Sequence, residues 1–162
     1  MIEHDSKLIK CALFDHLEGA VIDEVFSKSD LKRYQKGAVI IEKGRVPEAL
    51  YIIKSGKMGI YNEDFLLAEL GELSIIGESF LAEATATATT IANTELSLIE
   101  IKKDDLYWLA LKHPRLIFNI FKVNNNRLRT SNDAALKEAR SREEKLQQLV
   151  DERTAQLKRT NE

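Results

Sequence analysis

The residues of this 162-residue chain best suited to chemistry lie in one stretch, from Gly77 to Ala92. It opens as Ile76-Gly77-Glu78-Ser79-Phe80 and continues as Ala84-Thr85-Ala86-Thr87-Ala88-Thr89-Thr90: a glycine and an acid, then small and hydroxyl side chains. Gly77 can take positive φ at little cost, and its small neighbours let a ligand come close to the backbone. Successive N–H groups exposed in this way can cradle an anion. Other chemistry finds little support. His4, His16 and His113 are spread out, and none has a metal-type partner three or four residues away, so no metal ligand is assigned. There is no phosphate-loop lysine motif, no nucleophile elbow and no arrangement of paired carboxylates. Cys11 sits in an apolar run, where a buried, unreactive thiol is expected. No catalytic residue is assigned, and the chain reads as a protein that is not an enzyme.

The elements that must hold this stretch can be read from period and punctuation. Residues 6–29 carry two helical patterns, Leu8, Ile9, Ala12 and Leu13, then Ala20, Val21, Glu24 and Val25 around Gly19. From Leu31 the period becomes two. Turn glycines at Gly37, Gly44, Gly56, Gly59 and Gly71 bound runs too short for helices. Val39 and Ile41, Leu50 and Ile52, and Met58 and Ile60 alternate as strands with one buried face should. Short strands with glycine turns argue for a small barrel or roll. Residues 95–101 supply a closing strand. Asp104 is then placed to cap a helix bearing Leu106, Leu109, Ala110 and Leu111, which ends near Pro114; Tyr107 and Trp108 read as packing residues. From Arg115 onward there is no glycine or proline, and the chain predicts one very long helix.

Several of these residues resemble a known family. Gly77-Glu78, the short run after it and Ala86-Thr87-Ala88 look like the phosphate-binding cassette of the cyclic nucleotide-binding domain. Lys36 to Gly44, and the run from Leu50 to Met58, look like that family's first and central hairpins. Leu13-Phe14-Asp15-His16-Leu17 resembles the entry to its β-roll. The resemblance implies an α+β fold: a jelly-roll-like β-roll of about eight short strands, flanked by N-terminal helices and a long C-terminal helix that forms a parallel coiled-coil dimer. It implies three parts: a helical segment at 1–30, the roll with its B helix at 31–114, and the C helix and coiled coil at 115–162. It also implies a regulatory function with no cofactor beyond a bound cAMP or other cyclic nucleotide.

In the family, the glutamate of Gly-Glu bonds the ribose 2'-hydroxyl, and an arginine before Ser/Thr-Ala grips the cyclic phosphate. Glu78, Thr87 and Ala88 fit the pattern, and Gly77 and Ser79 belong to the same turn. Ala86 stands where the arginine would be. A charge-assisted arginine–phosphate contact contributes roughly 1.5 to 3 kcal/mol. Between Arg45 and Arg115 the chain has no arginine, and Glu83 adds a negative charge nearby. The family's base contacts fall partway along the C helix, where this chain reads Arg127-Leu128-Arg129-Thr130-Ser131-Asn132. Ser131 and Asn132 are therefore expected to meet an adenine edge, and Arg127 or Arg129 a phosphate. The competing expectation is a ligand-free dimerisation or docking module of the same fold.

The long helix sets the expected partners. Leu136, Ala139, Glu143, Leu146, Val150, Arg153 and Leu157 recur at three- and four-residue spacing, the pattern of a coiled-coil seam. Ile117, Ile120, Phe121 and Leu128 are expected to pack on the roll or across a dimer. A homodimer through residues 115–162 follows, acting on an effector domain or protein partner. The tail also resembles the connecting coiled coils that precede output domains in bacterial sensor kinases and nucleotide cyclases. Residues 137–159 carry seven Lys or Arg against five Asp or Glu, and the net charge is −2, so DNA is not expected as a partner. No apolar run approaches the roughly 18 residues of a membrane span, and residues 1–7 show no signal-peptide pattern. With one cysteine, a cytoplasmic setting is expected.

Overall fold

A computed structural model of the chain describes residues 5–160; residues 1–4, including His4, and Asn161 and Glu162 lie outside the described residues. The chain begins with two 3-10 turns, Leu8–Lys10 and Ala12–Phe14, and a helix α1, Gly19–Ser27. Six strands follow: β1 Ser29–Tyr34, β2 Val39–Ile41, β3 Ala49–Ser55, β4 Met58–Asn62, β5 Phe65–Leu70 and β6 Ile75–Ile76. A short 3-10 helix, Glu78–Ala82, leads to β7 Thr89–Ala92 and β8 Leu96–Lys102. Helix α2, Lys103–Lys112, and helix α3, Arg115–Thr160, complete the chain.

The strands form two antiparallel sheets, ordered β1-β8-β3-β6 and β2-β7-β4-β5, which give the α+β roll that the glycine-punctuated strands predict. Ala49, Tyr51 and Ile53 of β3 join Ile41, Met58, Ala92, Leu96 and Leu98 in a core between the sheets. Alternate residues point to opposite faces of a strand, so Leu50 and Ile52 face the other way. They are nonetheless fully buried, and α2 packs against β3 and β8. The expectation of one buried face thus fails for β3, because a helix covers its second face.

Three local expectations are corrected. The Leu8 to Leu13 pattern is not one helix but two 3-10 turns separated by an extended Cys11. Gly59 is not a turn residue: it lies within β4, where a Cβ would come 2.4 Å from the Tyr61 ring. Asp104 is not the N-cap of α2. Lys102 holds that position without a side-chain cap, and Asp104 and Asp105 lie in the first turn. There they still favour the helix, because carboxylates complement the partial positive charge of its amino end.

By compactness the chain divides into two units, Met1–Phe121 and Lys122–Glu162. In the first, the start of α3 is anchored by buried Leu116, Asn119 and Ile120. Asn119 Nδ2 donates to the carbonyls of Leu13 (2.8 Å) and Asp15 (2.9 Å), which fixes the entry segment that contains buried Phe14. The described residues of the second unit, up to Thr160, are helical, and Leu128, Leu136, Leu146, Val150 and Leu157 among them are exposed.

Candidate ligand-binding cassette

The cassette starts where β6 ends. Gly77 caps the 3-10 helix in the left-handed conformation, φ +98°. A Cβ there would lie 2.3 Å from the carbonyl oxygen of Ala49 on β3, so both the conformation and the close approach require glycine. The contact presses the turn against the central strand and sets the direction in which Glu78, the next residue, leaves it. Glu78 is half-buried, and its Oε2 is shut off from solvent. Ser79 is half-buried, and its carbonyl accepts from the Ala84 N–H at 3.1 Å, which closes the turn.

The return segment is zipped to the connection between β2 and β3. The Ile41 N–H donates to Thr90 Oγ1 at 3.0 Å, and the Lys43 N–H to Thr89 Oγ1 at 3.1 Å. The Gly44 N–H donates to the Ala86 carbonyl, and the Ala86 N–H donates to the Arg45 carbonyl, both at 2.8 Å. Ala86 also packs against the inter-sheet core, Ala88 is buried, and Thr87 is exposed. The hydroxyl-rich run therefore has a structural use: two of its threonines, Thr89 and Thr90, satisfy the backbone donors of Lys43 and Ile41.

A second connection runs to the helices. Phe80 is fully buried and meets Tyr107 of α2 edge-on, with ring centroids 5.8 Å apart. The Tyr107 hydroxyl donates to the Phe80 carbonyl at 3.2 Å. Tyr107 thus has the packing role its sequence position predicts. Trp108 differs: it is partly exposed, with the ammonium groups of Lys28 and Lys112 over its ring at 4.5 and 5.0 Å. At the end of α2, Lys112 Nζ and His113 Nε2 donate to the two carboxylate oxygens of Glu24 at 2.6 and 2.7 Å, tying α1 to the α2–α3 corner. These contacts hold the Glu24 carboxyl below its ordinary pKa, Lys112 foremost.

A sequence profile of the cyclic nucleotide-binding domain matches residues 31–113, just over half of the chain. The chain belongs to the cyclic nucleotide-binding domain family. A cyclic AMP receptor protein from Thermus thermophilus is 28% identical over 123 residues, 72% of this chain and 57% of that protein. The chain thus spans little more than half of that relative. The solved structure of a Thermus thermophilus catabolite activator protein aligns with TM-score 0.67 and 27% identity, covering 75% of this chain and 60% of that one. The N-terminal domain of a Streptomyces coelicolor transcriptional regulator aligns with TM-score 0.61 and 26% identity, covering 78% and 93%.

Within this family member, Gly77, Glu78, Ser79, Ala86, Thr87 and Ala88 share one loop of the first compact unit. Ser131, Asn132 and Arg129 are exposed and Arg127 is half-buried on the helical unit Lys122–Glu162. Among the described residues no group of three His, Cys, Asp or Glu could hold a metal ion, and no helix is long and apolar enough to cross a membrane. Two neighbours of the cassette escaped the sequence reading. Tyr51, buried against the Gly77 turn, has its phenol pushed up to about 12 by burial and by Glu100. Arg45, opposite Ala86, is the other. Neither carries a local motif: Tyr51 reaches the turn through its pairing with Ile76, and Arg45 meets the cassette through the Ala86 N–H.

Proposed function

We propose that the chain is a regulatory module that binds a cyclic nucleotide at the Gly77–Ala88 cassette and passes the bound state through a dimeric α3 to an effector domain or protein partner. The observation that carries this reading is the Gly77 turn. Its glycine is demanded by contact with β3, it presents a carboxylate, and it continues into Phe80, which α2 grips through Tyr107. A ligand that holds Glu78 biases the turn, and the turn is joined to the helix that leads into α3. Only a ligand with different affinities for two arrangements can shift their balance. A coiled coil has few allowed registers, and so it suits the output.

In this reading the chain divides at 1–30, 31–114 and 115–162, is not an enzyme, and acts in the cytoplasm. The exposed seam Leu136, Leu146, Val150 and Leu157 supports a parallel homodimer. Ser131 and Asn132 are offered to the base, and Arg127 and Arg129 to the phosphate, by their place along α3. DNA is left out on the charge balance of the tail alone. Because one similar structure comes from a transcriptional regulator, salt-sensitive duplex binding would reinstate it.

One observation favours a second reading, a ligand-free dimerisation module: Ala86 stands where the family pattern has arginine. A thermal-shift panel of cAMP, cGMP and cyclic dinucleotides, with sedimentation of the same samples, separates the two. Stabilisation by one ligand of a dimeric species supports the sensor. A dimer indifferent to all of them supports the docking module, and a monomer indifferent to all of them contradicts both.

A further inference from the structure

Residue 86 is alanine where the resemblance would put an arginine, but backbone hydrogen bonds between two connections bring another arginine next to it. Gly44 donates to Ala86, Ala86 donates to Arg45, and Gly44 is left-handed at φ +85°. These two bonds set Gly44 and Arg45, in the connection between β2 and β3, against Ala86 in the segment that leads into β7. Arg45 also borders a concavity of about 380 Å³ walled by Ile41, Pro47 and Tyr51. The Tyr51 ring in turn comes within 3.4 Å of where a Gly77 Cβ would stand. The buried Tyr51 ring thus lies between the concavity that Arg45 borders and the Gly77 turn that precedes Glu78.

We propose that Arg45 supplies, from the β2–β3 connection, the cationic contact to a ligand phosphate that Ala86 does not provide. The proposal rests on the reading that the cassette binds a cyclic nucleotide. In the free protein the Arg45 Nε pairs with Glu42 Oε2 at 2.9 Å, and both side chains are exposed, 78% and 61%. Exposed pairs of this kind are weak. A phosphate offers the guanidinium paired oxygens in bidentate geometry and forms a stronger contact. Glu42 is then a competitor for Arg45, and Glu48, which lines the same concavity, opposes the ligand's charge.

The test is calorimetric titration of the full chain with cAMP and, in parallel, with adenosine, which keeps the base and sugar but has no phosphate. Arg45→Ala should weaken cAMP about tenfold or more while leaving adenosine unchanged. Ala86→Arg in the Arg45→Ala background should restore cAMP binding, and Glu42→Gln should tighten it. Arg45 and Glu42 are exposed, so their variants should fold; Ala86 packs against the core, and circular dichroism and thermal unfolding verify the Ala86→Arg variant before it is titrated. If Arg45→Ala leaves cAMP unchanged while Glu78→Ala abolishes it, the Arg45 role is overturned and the cassette reading stands. If neither compound binds the wild-type chain or its Ala86→Arg variant, the cassette reading itself fails and takes the Arg45 role with it.

Discussion

The first unit, Met1–Phe121, and the second, Lys122–Glu162, use apolar residues in opposite ways. In the roll, Leu50, Ile52, Ile53, Leu96, Leu98, Ile99 and Ile101 are wholly buried within the chain itself. In the helical unit, Leu136, Leu146, Val150 and Leu157 each remain more than half exposed. Most helical stability in proteins comes from an apolar face packed against something else. The roll therefore buries its apolar residues within itself, whereas the second unit leaves its apolar seam exposed. Under the proposed function the contrast would suit a sensor, with the roll holding the site and the helical unit passing its state on.

The largest expected effect tests the self-sufficient half. Leu98→Ala removes a fully buried side chain between the sheets and should cost about 2 to 5 kcal/mol in denaturant unfolding. A cost under about 1 kcal/mol would show that the core is looser than its burial indicates. Next comes the cassette turn. Gly77→Ala adds a methyl facing the Ala49 carbonyl in a left-handed residue, and roughly 2 to 3 kcal/mol should be lost. An unchanged unfolding midpoint would mean that the turn is not held against β3.

The dependent half should respond to dilution rather than denaturant. Leu146→Asn with Leu157→Asn should weaken dimerisation by about tenfold or more in sedimentation equilibrium and lower the helical signal at low concentration, with the roll's unfolding unmoved. A dimer unaffected by both changes would place the interface elsewhere. The smallest effect concerns the corner between α1 and α2. Glu24 has its folded pKa below the ordinary 4.5, so its stabilising contribution is present above that value and is lost as pH falls through the folded pKa. Acid titration of wild type against Glu24→Gln should show a shallower loss in the variant below pH 4.5. Identical acid limbs would make the Lys112 and His113 contacts irrelevant to stability.

How much of this was legible in the sequence depends on the range of the signal. The strand runs, the Gly77-Glu78 turn and the uninterrupted helix from Arg115 are local features, and period and punctuation reveal them. β3 misled because alternation reports one covered face, while α2 covers the other from fifty residues downstream in the chain. Cys11 takes an extended conformation between two 3-10 turns, although the apolar spacing from Leu8 to Leu13 is that of a helix. Arg45 went unnoticed for a similar reason. Hydrogen bonding between distant connections is set by the tertiary fold, and no spacing within the chain announces that residue 45 meets residue 86.

The account depends most directly on whether Glu78 holds a nucleotide sugar. Calorimetric titration of the purified chain with cAMP, set beside the Glu78→Gln variant, decides it. The account predicts saturable binding that weakens by about tenfold or more in the variant, with both proteins equally folded. Binding of equal strength in the two, or none in either, would contradict it.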